Sequence, residues 1–252
     1  MPSVNKYVAE ILQLEVRLLH ARARLLAGSD SEALHDLRIA TRRIRSLLIP
    51  VRHVEGMDAL KAAAAEVGRL TTPTRDLEVM AEELEKKGLS RAAASRRLNL
   101  VNQYRAIAVS PVLDKLFAAL DAWPSTFRNS KAGIDNKKMQ RVVSKSLDKQ
   151  LHKLHMALDD QAHDRHQVRI LVKRTRYLTE AFREASPLSA KAAKSLKAVQ
   201  AALGSWHDHH QWCLRIKEEA DLAPVALEWE KAAANELLQA EGEMKTLREL
   251  LP

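Results

Sequence analysis

The chain has 252 residues, a formal net charge of +9 and a sequence pI near 9.7, with only 7 glycines, 8 prolines and 4% aromatic residues. A scarcity of breakers beside abundant Ala, Leu, Glu, Lys and Arg points to an all-α fold and excludes a sheet-based one, because no alternating apolar and polar run framed by turn signals is present. No apolar run approaches the roughly 18 residues of a spanning helix, the N-terminus lacks a signal-peptide pattern, and the single cysteine, Cys213, excludes an internal disulfide and suits a reducing cytoplasm.

Taken in order, Val8, Ile11, Leu12, Leu14, Leu18, Leu19 and Leu25 give a helical period over 3–27, with Gly28 as its stop. Its Arg17, His20, Arg22 and Arg24 lie near Glu10 and Glu15, so part of that charge is expected to be paired internally. Ser29 to Ser31 then offer an N-cap for a helix running to about Val51, with the segment LHDLRIATRRIRSLL at its heart. At about 100° per residue, His35, Arg38, Arg42 and Arg45 fall within an arc of about 80°. Leu34, Leu37, Ala40, Ile44, Leu47 and Leu48 take the other side, and Arg43 projects off the stripe.

Further on, helices are expected at 56–71 and 74–87, separated by Pro73 and ended by Gly88. A longer pattern covers 89–121, bent at Pro111. Residues 122–134 hold a proline, a glycine and no evident period, and are expected to be a linker between halves 3–121 and 135–250 of a single domain spanning 1–252. The second half predicts helices at 136–158, 163–185, 188–204, 206–221 and 224–250. In it, His166, Arg169, Lys173 and Arg176 repeat the first stripe, backed by Val168, Leu171, Val172, Thr175 and Leu178. His35 and His166 are 131 positions apart, and the pairs Arg75-Asp76 and His207-Asp208 are 132 apart. Two anchors at almost one offset point to an internal duplication, and the two aspartates are expected to orient neighbouring basic side chains.

The run HDLRIATRRIR, followed by RDLEV and repeated more weakly as HQVRILVKRTR and HDHHQ, resembles the CHAD family, the conserved histidine α-helical domain, over residues 3 to about 250. The resemblance implies two four-helix-bundle-like halves related by a pseudo-twofold axis around a basic central groove or pore. It also implies non-enzymatic binding of inorganic polyphosphate and a cytoplasmic location at polyphosphate granules. The contacts it implies are His35, Arg38, Arg42 and Arg45 with His166, Arg169, Lys173 and Arg176. Two departures stand out: Thr72 where a glycine usually precedes the RD pair, which questions the turn there, and His207 where the first half has Arg75.

The chemistry of the stripes agrees with that implication. A linear phosphate polymer presents oxygens along its length, and donors in register on one helix face meet them, with guanidinium taking two oxygens at once. Like charges at i, i+4 repel by a few tenths of a kcal/mol per pair, so such a face needs a counter-charge. Base reading would require aromatic platforms or amides in the stripe. Only Tyr177 sits beside it, so nucleic acid is the less favoured polyanion. Arg75 and His207 are possible additional contacts, as are Lys138, Arg141 and Lys145, which share one side of the 136–158 helix with Lys149 and His152. The four tryptophans are expected in packing roles.

His207, Asp208, His209, His210 and Cys213 carry metal-ligand chemistry at helical spacing, and an alternative reading is a metal-dependent phosphohydrolase built on 207–210. No matching ligands from other helices are evident, so no metal and no cofactor is assigned. Glu83, Glu85 and Lys87 spell an E-x-E-x-K signature that works on strands, yet here they belong to a helix. No glycine-rich phosphate loop or G-x-S-x-G element occurs.

Overall fold

A computed structural model describes residues 3–160, 162 and 164–252, and among them every regular element is helical. The chain forms two compact units, Met1–Lys145 and Ser146–Pro252.

In the first unit, α1 (Val4–Ala27) starts where the Ser3 side chain accepts from the Lys6 N–H and stops at Gly28 in the left-handed region, as the sequence predicts. Its buried stripe of Tyr7, Ile11, Leu14, Leu18 and Leu25 packs along α2 (Ala33–Leu47). The N-cap expected from Ser29 to Ser31 is corrected: Glu32 holds the cap position without a side-chain bond, and from within that span the Asp30 carboxylate accepts the Glu32 N–H at 2.9 Å while gripping Arg24. The helix also ends at Leu47, ahead of the expected Val51. Arg22 and Arg24 are paired internally, with Asp114, Asp30 and Asp36 rather than with Glu10 or Glu15.

Residues 58–86 form one helix, α3 (Asp58–Lys86), and no break occurs at Pro73. An interior proline costs about 3 kcal/mol, but buried residues on both sides of it, from Val67 and Thr71 to Thr74, Met80 and Leu84, hold the helix against its neighbours. The Arg69 carbonyl that loses its donor belongs to an exposed residue and can turn to water. The predicted stop at Gly88 is present, with the Leu89 N–H returning to the Leu84 carbonyl at 2.9 Å.

The pattern expected over 89–121 is three helices, α4 (Ser90–Arg97), α5 (Leu100–Ala108) and α6 (Pro111–Arg128). Pro111 therefore begins a helix, with Ser110 capping the Val112 N–H at 3.2 Å. The expected linker is helical as far as Arg128. Trp123 and Phe127 are buried there, stacked at 4.9 Å, with Tyr7 against both rings and its hydroxyl donating to the Leu47 carbonyl at 2.8 Å. Leu113, Leu116, Leu120, Trp123 and Phe127 keep a helical period straight through Pro124.

The division between units falls inside α7 (Asn136–Asp159). In the second unit, α8 (Arg165–Ala181) is capped by Asp164, whose side chain accepts the His166 N–H at 3.0 Å; its expected start at 163 lies outside the described residues. A short 3₁₀ turn over Arg183–Ala185 replaces the last predicted turn. The helices expected at 188–204 and 206–221 are one, α9 (Ala190–Arg215), because Gly204 in a helix interior costs only about 1 kcal/mol and α10 (Ala226–Leu250) packs along its length. Leu154, Val168, Val172, Leu196, Val199, Leu203, Met244 and Leu247 join α7 to α10 in one core. Trp212 and Trp229 adjoin each other at 5.1 Å, in the packing role expected of them.

Glu15 on α1 lies beside Asp121 on α6, and burial together with the Asp121 charge raises the Glu15 pKa. A carboxyl group whose folded pKa lies above its unfolded value destabilises the fold once pH exceeds both values and does not below both. Glu15→Gln is expected to raise the melting temperature at pH 7, with the gain shrinking to nothing as pH falls below the ordinary carboxylate range. Thermal denaturation followed by circular dichroism across pH checks it.

Candidate anion-binding site

The basic face of α2 exists because its other face is consumed by the core. Leu34, Leu37, Ala40, Thr41, Ile44 and Leu47 are buried, which leaves His35, Arg38 and Arg42 half-buried and Arg45 exposed on the opposite side. Arg43, off the stripe, donates to Glu10 from both Nε, at 2.9 Å, and Nη2, at 2.5 Å.

Helix α3 packs beside α2 and supplies the partners that set this face. Arg38 Nη1 donates to Thr71 Oγ1 at 2.8 Å and to Thr72 Oγ1 at 3.1 Å. Burial, then the nearby Arg42 charge, lowers the Arg38 pKa, with Arg75 adding to the effect and Asp76 and Glu78 opposing it. Arginine remains charged throughout the ordinary pH range, so Arg38 carries its full charge in a half-buried place beside Arg42 and Arg75. Arg75 is held by Glu78 at 2.7 Å, a carboxylate only 5% exposed, and has Glu82 at 3.9 Å. Tyr104 lies near Glu78, and burial, then that carboxylate, pushes the pKa of its hydroxyl up. Gly68 lies against Arg45, whose Nη1 would be 3.0 Å from a Cβ placed there.

In the second unit, Val168, Val172, Thr175 and Leu178 face inward from α8. His166 is exposed, and Arg169, Lys173 and Arg176 are half-buried. The His166 ring lies 5.5 Å from the His207 ring on α9, and His207 Nδ1 is 3.4 Å from Asp208 Oδ1. Arg176 donates to Glu180 at 2.7 Å and stacks near the Tyr177 ring.

Within each unit, then, the helix bearing the RD or HD pair meets the basic helix. Arg75 and His207, expected as additional contacts, are brought to their stripes. Lys138, Arg141 and Lys145 are exposed on the side of α7 opposite Met139, Val143 and Leu147. Thr71, Thr72, Gly68, Glu78 and Tyr104 were missed by the sequence reading. The i, i+3 spacing of Arg75 and Glu78 was a visible signal; the threonines gave none, since the proline beside them suggested a break. The turn questioned at Thr72 is helix.

The 207–213 cluster disperses. His207 turns to His166, His209 Nδ1 bonds Glu236 on α10 at 2.7 Å, and His210 stacks on Trp206. Burial, aided by Glu230, raises the Cys213 pKa. Among the described residues no group of three or more His, Cys, Asp or Glu side chains is arranged to hold a metal ion. Glu83, Glu85 and Lys87 close α3, with Lys87 and Glu83 3.6 Å apart and Glu85 bonded to Arg97 at 2.6 Å. Among the described residues no helix is long and apolar enough to cross a membrane.

Residues 10–217 match the family described as the CHAD domain. The chain is similar in structure to the CHAD domain from the plant Ricinus communis, at 24% identity and a TM-score of 0.66, with 98% of this chain and 91% of that one covered. It is also similar to PptA from Streptomyces chartreusis, at 18% identity and a TM-score of 0.60, with 99% of each chain covered. The search of curated proteins returned no match. At these identities the two structures agree with this one in fold.

Gly68 offers a direct test of the Arg45 environment. Gly68→Ala should add about 0.5–1 kcal/mol of stability by removing an interior helix glycine, because only the mobile end of Arg45 has to yield. Denaturant unfolding reads the gain, and a shift of the Arg45 side-chain resonances reads the displacement.

Proposed function

Because the chain belongs to the CHAD family, we propose that it binds inorganic polyphosphate without converting it, through the basic faces of α2 and α8. The observation that carries this reading is the crowding around Arg38. Its guanidinium is half-buried, and after that burial the Arg42 and Arg75 charges lower its pKa against Asp76 and Glu78, while its own hydrogen bonds go to neutral threonine hydroxyls. Guanidinium groups gathered this way repel one another in the free protein, and a polyanion relieves the repulsion on binding.

Polyphosphate suits the spacing. The cations from His35 to Arg45 cover nearly three helical turns and present donors along a line of about 15 Å, and a linear phosphate chain offers oxygens along all of it. The sites of contact are His35, Arg38, Arg42 and Arg45 on α2, Arg75 on α3, His166, Arg169, Lys173 and Arg176 on α8, and His207 on α9. The protein is a cytoplasmic component of polyphosphate granules on this reading.

Replacing Arg38, Arg42, Arg169 and Lys173 together with alanine should abolish retention of long-chain polyphosphate while leaving the helical circular dichroism spectrum intact. For the parent protein, the logarithm of the binding constant should fall with the logarithm of salt concentration by about 0.7 for each phosphate contact. Competition at fixed ionic strength should show polyphosphate displacing RNA more readily than the reverse. Undiminished binding by the fourfold variant would reject the assignment.

A further inference from the structure

The hydrogen bonds of Arg38 leave from one end of its guanidinium. Nη1 carries two protons, and the two threonine oxygens at 2.8 Å and 3.1 Å take both. Those hydroxyls are themselves fixed, since Thr71 Oγ1 donates to the Val67 carbonyl and Thr72 Oγ1 to the Gly68 carbonyl, each at 2.8 Å. With their protons committed to their own helix, their lone pairs remain for Arg38. Nε–H and one Nη2–H then stand side by side, the edge that receives two oxygens of one phosphate.

The anchor is also neutral. Arg75 and Arg176 are oriented by Glu78 and Glu180, carboxylates that cancel the charge they hold in place. Arg38 is oriented by hydroxyls, which fix direction and leave the positive charge for an anion. The back-bonds to Val67 and Gly68 keep both threonines in one rotamer, and their carrier helix is continuous through Pro73, so the pair is a rigid support.

We infer that Thr71 and Thr72 are positioning residues that hold Arg38 with its Nε–Nη2 edge outward, as a bidentate clamp for a phosphate group. The inference rests on the polyphosphate reading for its ligand and on the two threonine contacts for its geometry. Lysine at position 38 would keep the charge and lose the fork.

The test combines binding with a ligand-free measurement. Thr72 is exposed, so Thr72→Val removes one hydroxyl with little risk to folding, and Thr72→Ser restores it. Titration with polyphosphate of one defined length should show Thr72→Val binding about three- to tenfold more weakly with an unchanged salt slope, because the number of neutralised phosphates is the same. Thr72→Ser should bind like the parent, and Thr72→Val should add no loss in an Arg38→Lys background. Without ligand, nitrogen-15 spectra should resolve the Arg38 Nη1 and Nη2 groups separately in the parent, and Thr72→Val should merge them by freeing rotation about the Nε–Cζ bond. Parent-like affinity in Thr72→Val, an equal loss in the Arg38→Lys background, or Nη signals that ignore the substitution would each overturn the inference. Failure of the parent to bind polyphosphate would instead overturn the ligand, and the Nη signals would still decide the positioning.

Discussion

The constraint on which both units depend is the division of a single helix into two incompatible faces. On α2 the inward side is sealed among α1 and α3, and the outward side gathers three arginines and a histidine. Burying a leucine side chain is worth about 1.5–3 kcal/mol, whereas each like-charge pair one turn apart costs a few tenths. Core burial therefore dominates, and the fold can present concentrated positive charge that an isolated helix would relieve by fraying. The same arithmetic applies to α8, where Val168, Val172 and Leu178 oppose Arg169, Lys173 and Arg176.

The second helix of each pair does different work. Instead of neutralising the stripe uniformly, α3 supplies a hydroxyl pair to Arg38, open space to Arg45 at Gly68, and a buried carboxylate to Arg75. Helix α9 supplies an imidazole facing His166.

Periodicity made most of this legible. The all-helical class, α1 with its glycine stop, both basic stripes, the Gly88 terminator and α10 follow from apolar spacing and from the residues able to end a helix. The errors share a cause, which is trust in local breakers. Pro73, Pro124 and Gly204 all lie inside helices, because packing on both sides outweighs a local cost of about 1–3 kcal/mol. A break at Pro73 would put Thr71 and Thr72 at a helix end, away from the contact they make with Arg38. At 207–213 the spacing of histidine, aspartate and cysteine leaves ligand and structural roles alike open to the sequence, and only tertiary contacts give His209 to Glu236 and His210 to Trp206.

The lone thiol has a practical consequence. Cys213 is half-buried on α9, and burial and Glu230 both favour its protonated form, so little nucleophilic thiolate is present near neutrality. Alkylating reagents and oxidants should attack it slowly. Cross-linked dimers should accordingly be rare on storage in air, and a cysteine introduced on an exposed helix face should outcompete the native one for a maleimide dye.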